Sequence, residues 1–86
     1  MKYSIQFSRE SASDIDTIYH SDRKLFERIM NKIEFLENHP KEGKPLVGKH
    51  KGEYSFRVGN YRIVYQPEHA KHVIYILTIK HRKHVY

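Results

Sequence analysis

The chain contains no cysteine. That excludes a disulfide framework, a thiolate metal site and a thiol nucleophile. No apolar run approaches the ~18 residues of a membrane helix, and no secretory leader pattern opens the chain. The expectation is a soluble cytoplasmic protein with no membrane partner. Internal repeats and low-complexity tracts are also lacking. A single domain over residues 1–86, with one modest core, is expected.

Acidic residues are scarce in one half only. Residues 44–86 hold 9 Lys/Arg against 2 Asp/Glu, while residues 1–43 hold 7 against 8. The net charge of +6 is therefore an excess of the second half. A localised positive surface suits a polyanion such as nucleic acid; a merely solvated basic surface has the same composition.

What is present has a clear order. Residues 2–7, "KYSIQF", alternate with Tyr3, Ile5 and Phe7 on one side, which predicts a strand. Ser8 is a candidate N-cap, with Glu10 in the following turn where the helix dipole favours an anion. Ala12, Ile15, Ile18 and Tyr19 recur at helical spacing and predict a first helix to about His20. Asp22 can cap a second helix, whose Leu25, Phe26, Ile29, Met30, Ile33 and Leu36 form one apolar stripe suited to a core. It ends near Asn38, ahead of Pro40. Residues 40–53 carry Pro, Gly and Lys without periodicity and read as a basic loop.

Residues 57–65, "RVGNYRIVY", place Gly59-Asn60 between two alternating arms, a two-residue hairpin signal. That turn pairs Val58 with Tyr61, Arg57 with Arg62, Phe56 with Ile63 and Tyr54 with Tyr65. Six apolar or aromatic side chains then share one face, and Arg57 and Arg62 sit side by side on the other. Pro67 is expected to end the second arm. Residues 72–79, "HVIYILTI", are almost continuously apolar and predict a central strand buried on both faces. The hairpin supplies one neighbour, and the first strand lies elsewhere in the sheet. The order is β-α-α-β-β-β. The predicted class is α+β, a helical hairpin packed on one face of a small, mainly antiparallel sheet, with the arginine face left open.

Like charges directly across a ladder are destabilising. Two facing arginines are tolerable if a phosphate lies between them during function, since Arg binds phosphate bidentately and keeps its charge. They are equally tolerable if acids elsewhere pair with them or if they extend into solvent. The tail adds His81, Arg82, His84 and Tyr86, either a reactive cluster or a frayed basic end. Lys44, Lys49, His50 and Lys51 form a loop patch for steering nucleic acid or for solvation, with Lys80 and Lys83 as further basic candidates near the tail. His69-x-x-His72 and His81-x-x-His84 have metal-motif spacing, but i and i+3 on a strand point to opposite faces and no carboxylate cluster accompanies them. No metal and no cofactor are expected.

In combination, "YSFRVGNYRIVYQ" at residues 54–66 and the terminal "HRKHVY" resemble the RelE/ParE superfamily of toxins from bacterial and archaeal toxin–antitoxin pairs. The likeness covers nearly the whole chain. It implies a ribosome-dependent endoribonuclease that cuts mRNA by metal-independent 2′-OH attack if the RelE branch applies, and a poison of DNA gyrase if the ParE branch does; a catalytically inactive RNA- or antitoxin-binding member of the fold is the other alternative. On the RelE pattern, Arg62 binds the scissile phosphate with Arg57 beside it, and Arg82 stabilises charge or acts as an acid. Tyr86 stacks on or deprotonates the substrate, with His81 as a competing base. Lysines that the best-known RelE enzymes carry on the first hairpin arm fall here at Glu53 and Ser55; Lys49, Lys51 or Arg57 would supply that charge instead. The resemblance also implies a cognate antitoxin and, as the RNA partner, a ribosome with its mRNA.

Overall fold

The computed structural model describes residues 2–84, His84 through its backbone only. Tyr86 lies outside the described residues. The elements are β1 (Ser4–Phe7), α1 (Arg9–Ser21), α2 (Arg23–Leu36), β2 (Lys44–Pro45), β3 (Tyr54–Val58), β4 (Tyr61–Glu68) and β5 (Val73–His81). Two 3₁₀ turns add Gly48–His50 and Arg82–His84.

Both helices begin where their caps predict. The Ser8 hydroxyl accepts from Ser11 N–H, and the Asp22 carboxylate accepts from Leu25 N–H. The apolar stripe of α2 is the core stripe: Ile29, Ile33 and Leu36 are buried. The inner face of α1 departs from the predicted one. Ala12 is exposed, and the buried positions are Ser11 and Ile18. Ser11 goes inside because its hydroxyl donates to the Ile76 carbonyl at 2.6 Å, which offsets the cost of burying a polar group.

The five strands run in the order β1-β5-β4-β3-β2. The predicted hairpin register holds at every pair, including Arg57 opposite Arg62. Gly59 adopts φ 59° in the first central position of the turn, the left-handed region that favours glycine. Three expectations change. Within the basic loop, Lys44 and Pro45 pair with Ser55 and Tyr54 and add a short edge strand. Pro67 does not end β4 but pairs with Ile74; beyond Tyr65 no β3 residue is registered with β4, so Pro67 sits where the strand has become an edge. The first strand is a direct neighbour of β5, parallel to it, with Ser4 opposite Val73 and Phe7 opposite Ile76.

The continuous apolar run in β5 also has a specific cause. A bulge leaves Leu77 unpaired between Tyr65↔Ile76 and Val64↔Thr78. The core-facing phase therefore changes from Ile74 and Ile76 to Ile79, all three buried. The other face of β5 is only half-buried, not closed as a fully central strand would be.

Tyr65 is fully buried, and its phenol oxygen accepts from Gly43 N–H at 2.9 Å. A Cβ at Gly43 would meet the Ser55 carbonyl at 2.8 Å and Tyr65 Oη at 2.9 Å, so no larger residue fits there without movement. This contact ties the start of the basic loop to the core. Burial is the main cause that pushes the Tyr65 pKa up from 10.0 to about 12. Replacing Tyr65 by Phe is expected to cost about 1–3 kcal/mol at neutral pH, because a buried N–H loses its acceptor. The unfolded phenol ionises first. The stabilisation is thus complete below pH ~10 and is lost as pH rises towards 12. Denaturant titrations of the wild type and Tyr65→Phe should therefore converge over that alkaline window.

Candidate nucleic-acid interface

The helices cover the face of the sheet that carries Phe56, Val58, Tyr61, Ile63 and Tyr65. Arg57 and Arg62 project from the opposite face, Arg57 exposed and Arg62 partly so. Among the described residues neither guanidinium meets a carboxylate. No contacting carboxylate therefore relieves their mutual repulsion. Beside the arginines on this face, Ser55 and Val64 are covered, 6% and 3% exposed. The basic loop leans toward it, with Gly52 packed beside the Gln66 amide.

The register extends the row by one residue. Arg62 is paired with Lys80 of β5, so Arg57, Arg62 and Lys80 lie abreast across three strands. Lys80 differs from the other two. Its ammonium reaches Asp14 at 2.8 Å and Glu10 at 3.0 Å, both on α1. Hydrogen bonds to Asp14 and then Glu10 hold its pKa above the usual lysine value. Lys80, expected as an RNA-binding residue, is thus an ion-paired one.

The tail is divided. Arg82 N–H donates to the Asn60 carbonyl at 2.7 Å, which joins the 3₁₀ turn to the hairpin tip and leaves the Arg82 and Lys83 side chains exposed. His81 stands on the helix side, its ring edge-on to Tyr61 at 5.4 Å between centroids. It borders a recess of about 390 Å³ with Lys24, Arg28 and Asn60. The structure does not bring His81 to the arginine face, contrary to its expected role as a base beside Arg62; strand alternation opposite Tyr61 is the reason. The side chains of His84 and Tyr86 fall outside the description. In the loop, Lys44, Lys49 and Lys51 are exposed, and His50 Nδ1 lies 3.1 Å from the Glu53 carboxylate.

The other histidine pair occupies a turn, not a strand. His69 Nδ1 lies 2.6 Å from the Tyr3 hydroxyl, and the His72 ring packs edge-on against the same Tyr3. The two histidines meet through Tyr3 and fasten β1 to the β4–β5 turn. Among the described residues no group of three His, Asp or Glu side chains converges.

One basic element escaped the sequence reading. Arg28, Lys32 and Arg57 border a recess of about 470 Å³ between α2 and the edge of β3, with the half-exposed Phe35; Lys32 lies 3.9 Å from the Glu42 carboxylate. The signal was present as Lys24, Arg28 and Lys32 at i, i+4 spacing. It was hidden because α2 also carries Glu27 and Glu34 on other faces, which cancel its charge in a sum over the half.

A family model described as the ParE toxin of type II toxin–antitoxin systems, parDE, matches residues 5–86. The chain belongs to this toxin family. Solved structures give the same fold. The toxin–antitoxin complex RelBE2 of Mycobacterium tuberculosis is 25% identical, with 95% of this chain and 100% of that chain covered and a TM-score of 0.79. The YoeB/ParE toxin of Agrobacterium tumefaciens is 20% identical over 91% of this chain and 96% of its own, with a TM-score of 0.83. The archaeal RelE–RelB complex of Pyrococcus horikoshii is 22% identical over 99% and 100%, with a TM-score of 0.77. No curated protein sequence matches the chain significantly. The protein is thus a toxin of a toxin–antitoxin system with the RelE/ParE fold: two helices on one face of a five-stranded, mostly antiparallel sheet.

Removing one charge from the facing pair should raise stability. Arg57→Gln is expected to gain about 0.2–1 kcal/mol in thermal or chemical denaturation at low salt. The gain should shrink as salt screens the exposed guanidinium groups. A pair stabilised by hidden acid partners would show a loss instead.

Proposed function

We propose that this toxin is a ribosome-dependent endoribonuclease acting on mRNA in the cytoplasm, held in check by a cognate antitoxin. The observation that carries the reading is the Arg57–Arg62 pair. Two arginines are registered partners across a ladder, and among the described residues neither makes an ion pair with an acid. A phosphodiester between them supplies the missing charge and receives hydrogen bonds from fixed positions.

The reaction that fits is attack of a ribose 2′-oxygen on the adjacent phosphorus. The 2′-OH gives up its proton, the new O–P bond forms and the bond to the 5′-oxygen breaks. That oxygen takes a proton, leaving a 2′,3′-cyclic phosphate; water then breaks its 2′-O–P bond, restoring the 2′-OH and leaving a 3′-phosphate. The attacking oxygen already belongs to the substrate, so the step calls on no cofactor and no metal. Arg57 and Arg62 clamp the phosphate, and Arg82 stabilises charge or protonates the leaving oxygen. Tyr86 stacks on a base or takes the 2′-OH proton, a role for which His81, on the other side of its strand, is less well placed. The loop residues Lys44, Lys49, His50 and Lys51 and the tail residues Lys83 and His84 steer the RNA backbone. The antitoxin reading is supported by the similar solved structures, which include toxin–antitoxin complexes.

The ParE family match favours a second reading, a poison of DNA gyrase that needs no cleavage chemistry at Arg82 or Tyr86. Mapping new mRNA ends after adding the protein to translating ribosomes, beside a DNA supercoiling assay, separates the two. Under the nuclease reading, Arg62→Ala lowers cleavage about 10²–10³-fold with the fold intact. Tyr86→Phe retains most activity if stacking dominates and loses it if proton transfer does. Inhibition of supercoiling without new mRNA ends would replace the nuclease by the gyrase poison.

A further inference from the structure

Three cations stand abreast on the helix-free face, yet one of them is occupied. The side chain of Lys80 starts on the same face as Arg62, its registered partner. Its ammonium ends at the sheet edge, 2.8 Å from Asp14 Oδ1 and 3.0 Å from Glu10 Oε2. Asp14 is fixed in this position by a second bond. Its Oδ2 accepts from Ile79 N–H at 3.0 Å, in the stretch of β5 that β1 no longer pairs. Asp14 is also the better buried of the two acids, 14% exposed against 57% for Glu10. The cluster of two carboxylates and one ammonium carries a net negative charge beside β5, one strand beyond Arg62.

We infer that Asp14 is a positioning residue that withholds Lys80 from the phosphate track and ends that track at β4. A bound RNA backbone then meets Arg57 and Arg62 and is turned away from α1 by the acidic cluster. The backbone is thereby directed toward the basic loop and the tail. This inference rests on the RNA-binding reading only for the identity of the polyanion; a synthetic polyanion tests the electrostatics by itself.

The experiment measures the salt dependence of binding of a short single-stranded RNA and, separately, of heparin. The proteins compared are the wild type, Asp14→Asn, Lys80→Met, the double variant and Glu10→Gln. Each released cation adds about 0.7 to the salt slope on a single strand, about a fivefold gain in affinity at ~0.1 M salt. Asp14→Asn is expected to show that gain on both probes, and Lys80→Met alone is expected to change little. The double variant should lose the gain, because it depends on Lys80. Glu10→Gln, which leaves the Ile79 bond untouched, should move the slope in the same direction by less, and it provides the reading if Asp14→Asn folds poorly. An unchanged slope in both acid variants, or a gain that persists without Lys80, would overturn the inference. A purely structural Asp14 would lower stability and leave the slope alone. Should the heparin arm respond while ribosomes show no mRNA cleavage, the nuclease reading fails and the role of Asp14 stands.

Discussion

The structure depends on how the far half of β5 is held. Strand β1 pairs with β5 only as far as Ile76. From that point on, α1 and its N-cap take over through Ser8, Ser11 and Asp14, spaced by three. Ser8 and Ser11 donate to the carbonyls of Leu77 and Ile76, and Asp14 accepts from Ile79 N–H. A helix thus completes a strand edge with side chains where a sixth strand would otherwise pair. An unpaired edge beside an apolar run invites association with other chains. Here the same three residues close that edge and set the distance between the helical layer and the sheet.

Because the edge is closed from the helical side, the opposite sheet face stays available for charge. Core packing accounts for the buried apolar residues between the layers: Ile18, Ile29, Ile33 and Leu36 cluster with Val58, Ile63, Tyr65, Ile74, Ile76 and Ile79. Nothing apolar is required where Arg57 and Arg62 stand. The two faces therefore answer to different demands, one to close packing and the other to the chemistry of an anion. The repulsion between the arginines is the visible cost of the second demand, and the packed face carries it.

Much of this was legible from local pattern. Both caps, the hairpin register and the pairing of Arg57 with Arg62 follow from residue type and period alone, because each is decided within a few residues. The misread features involve partners distant in sequence. Ser11 is buried because a carbonyl 65 positions away accepts its hydroxyl. Ala12, which a hydropathy pattern places inside, is left outside for the same reason. Lys80 reads as a free basic residue until the fold brings Asp14, 66 positions away, to its ammonium. His81 reads as a neighbour of the arginines in the sequence, while strand alternation sends it to the opposite side. The basic line on α2 was lost by summing charge along the chain instead of around the helix.

The bulge at Leu77 has one more consequence. It divides β5 into two segments with opposite parity. The first, Val73–Ile76, is locked between β1 and β4 and answers to the core. The second, Thr78–His81, is held by β4 and by a single carboxylate of α1. A strand of unbroken alternation would have turned Lys80 toward the helices and His81 toward the arginines. One supernumerary residue thus acts as a phase shifter: it decides which chemical groups face the cationic side and, by the same step, turns Ile79 into the hydrophobic layer.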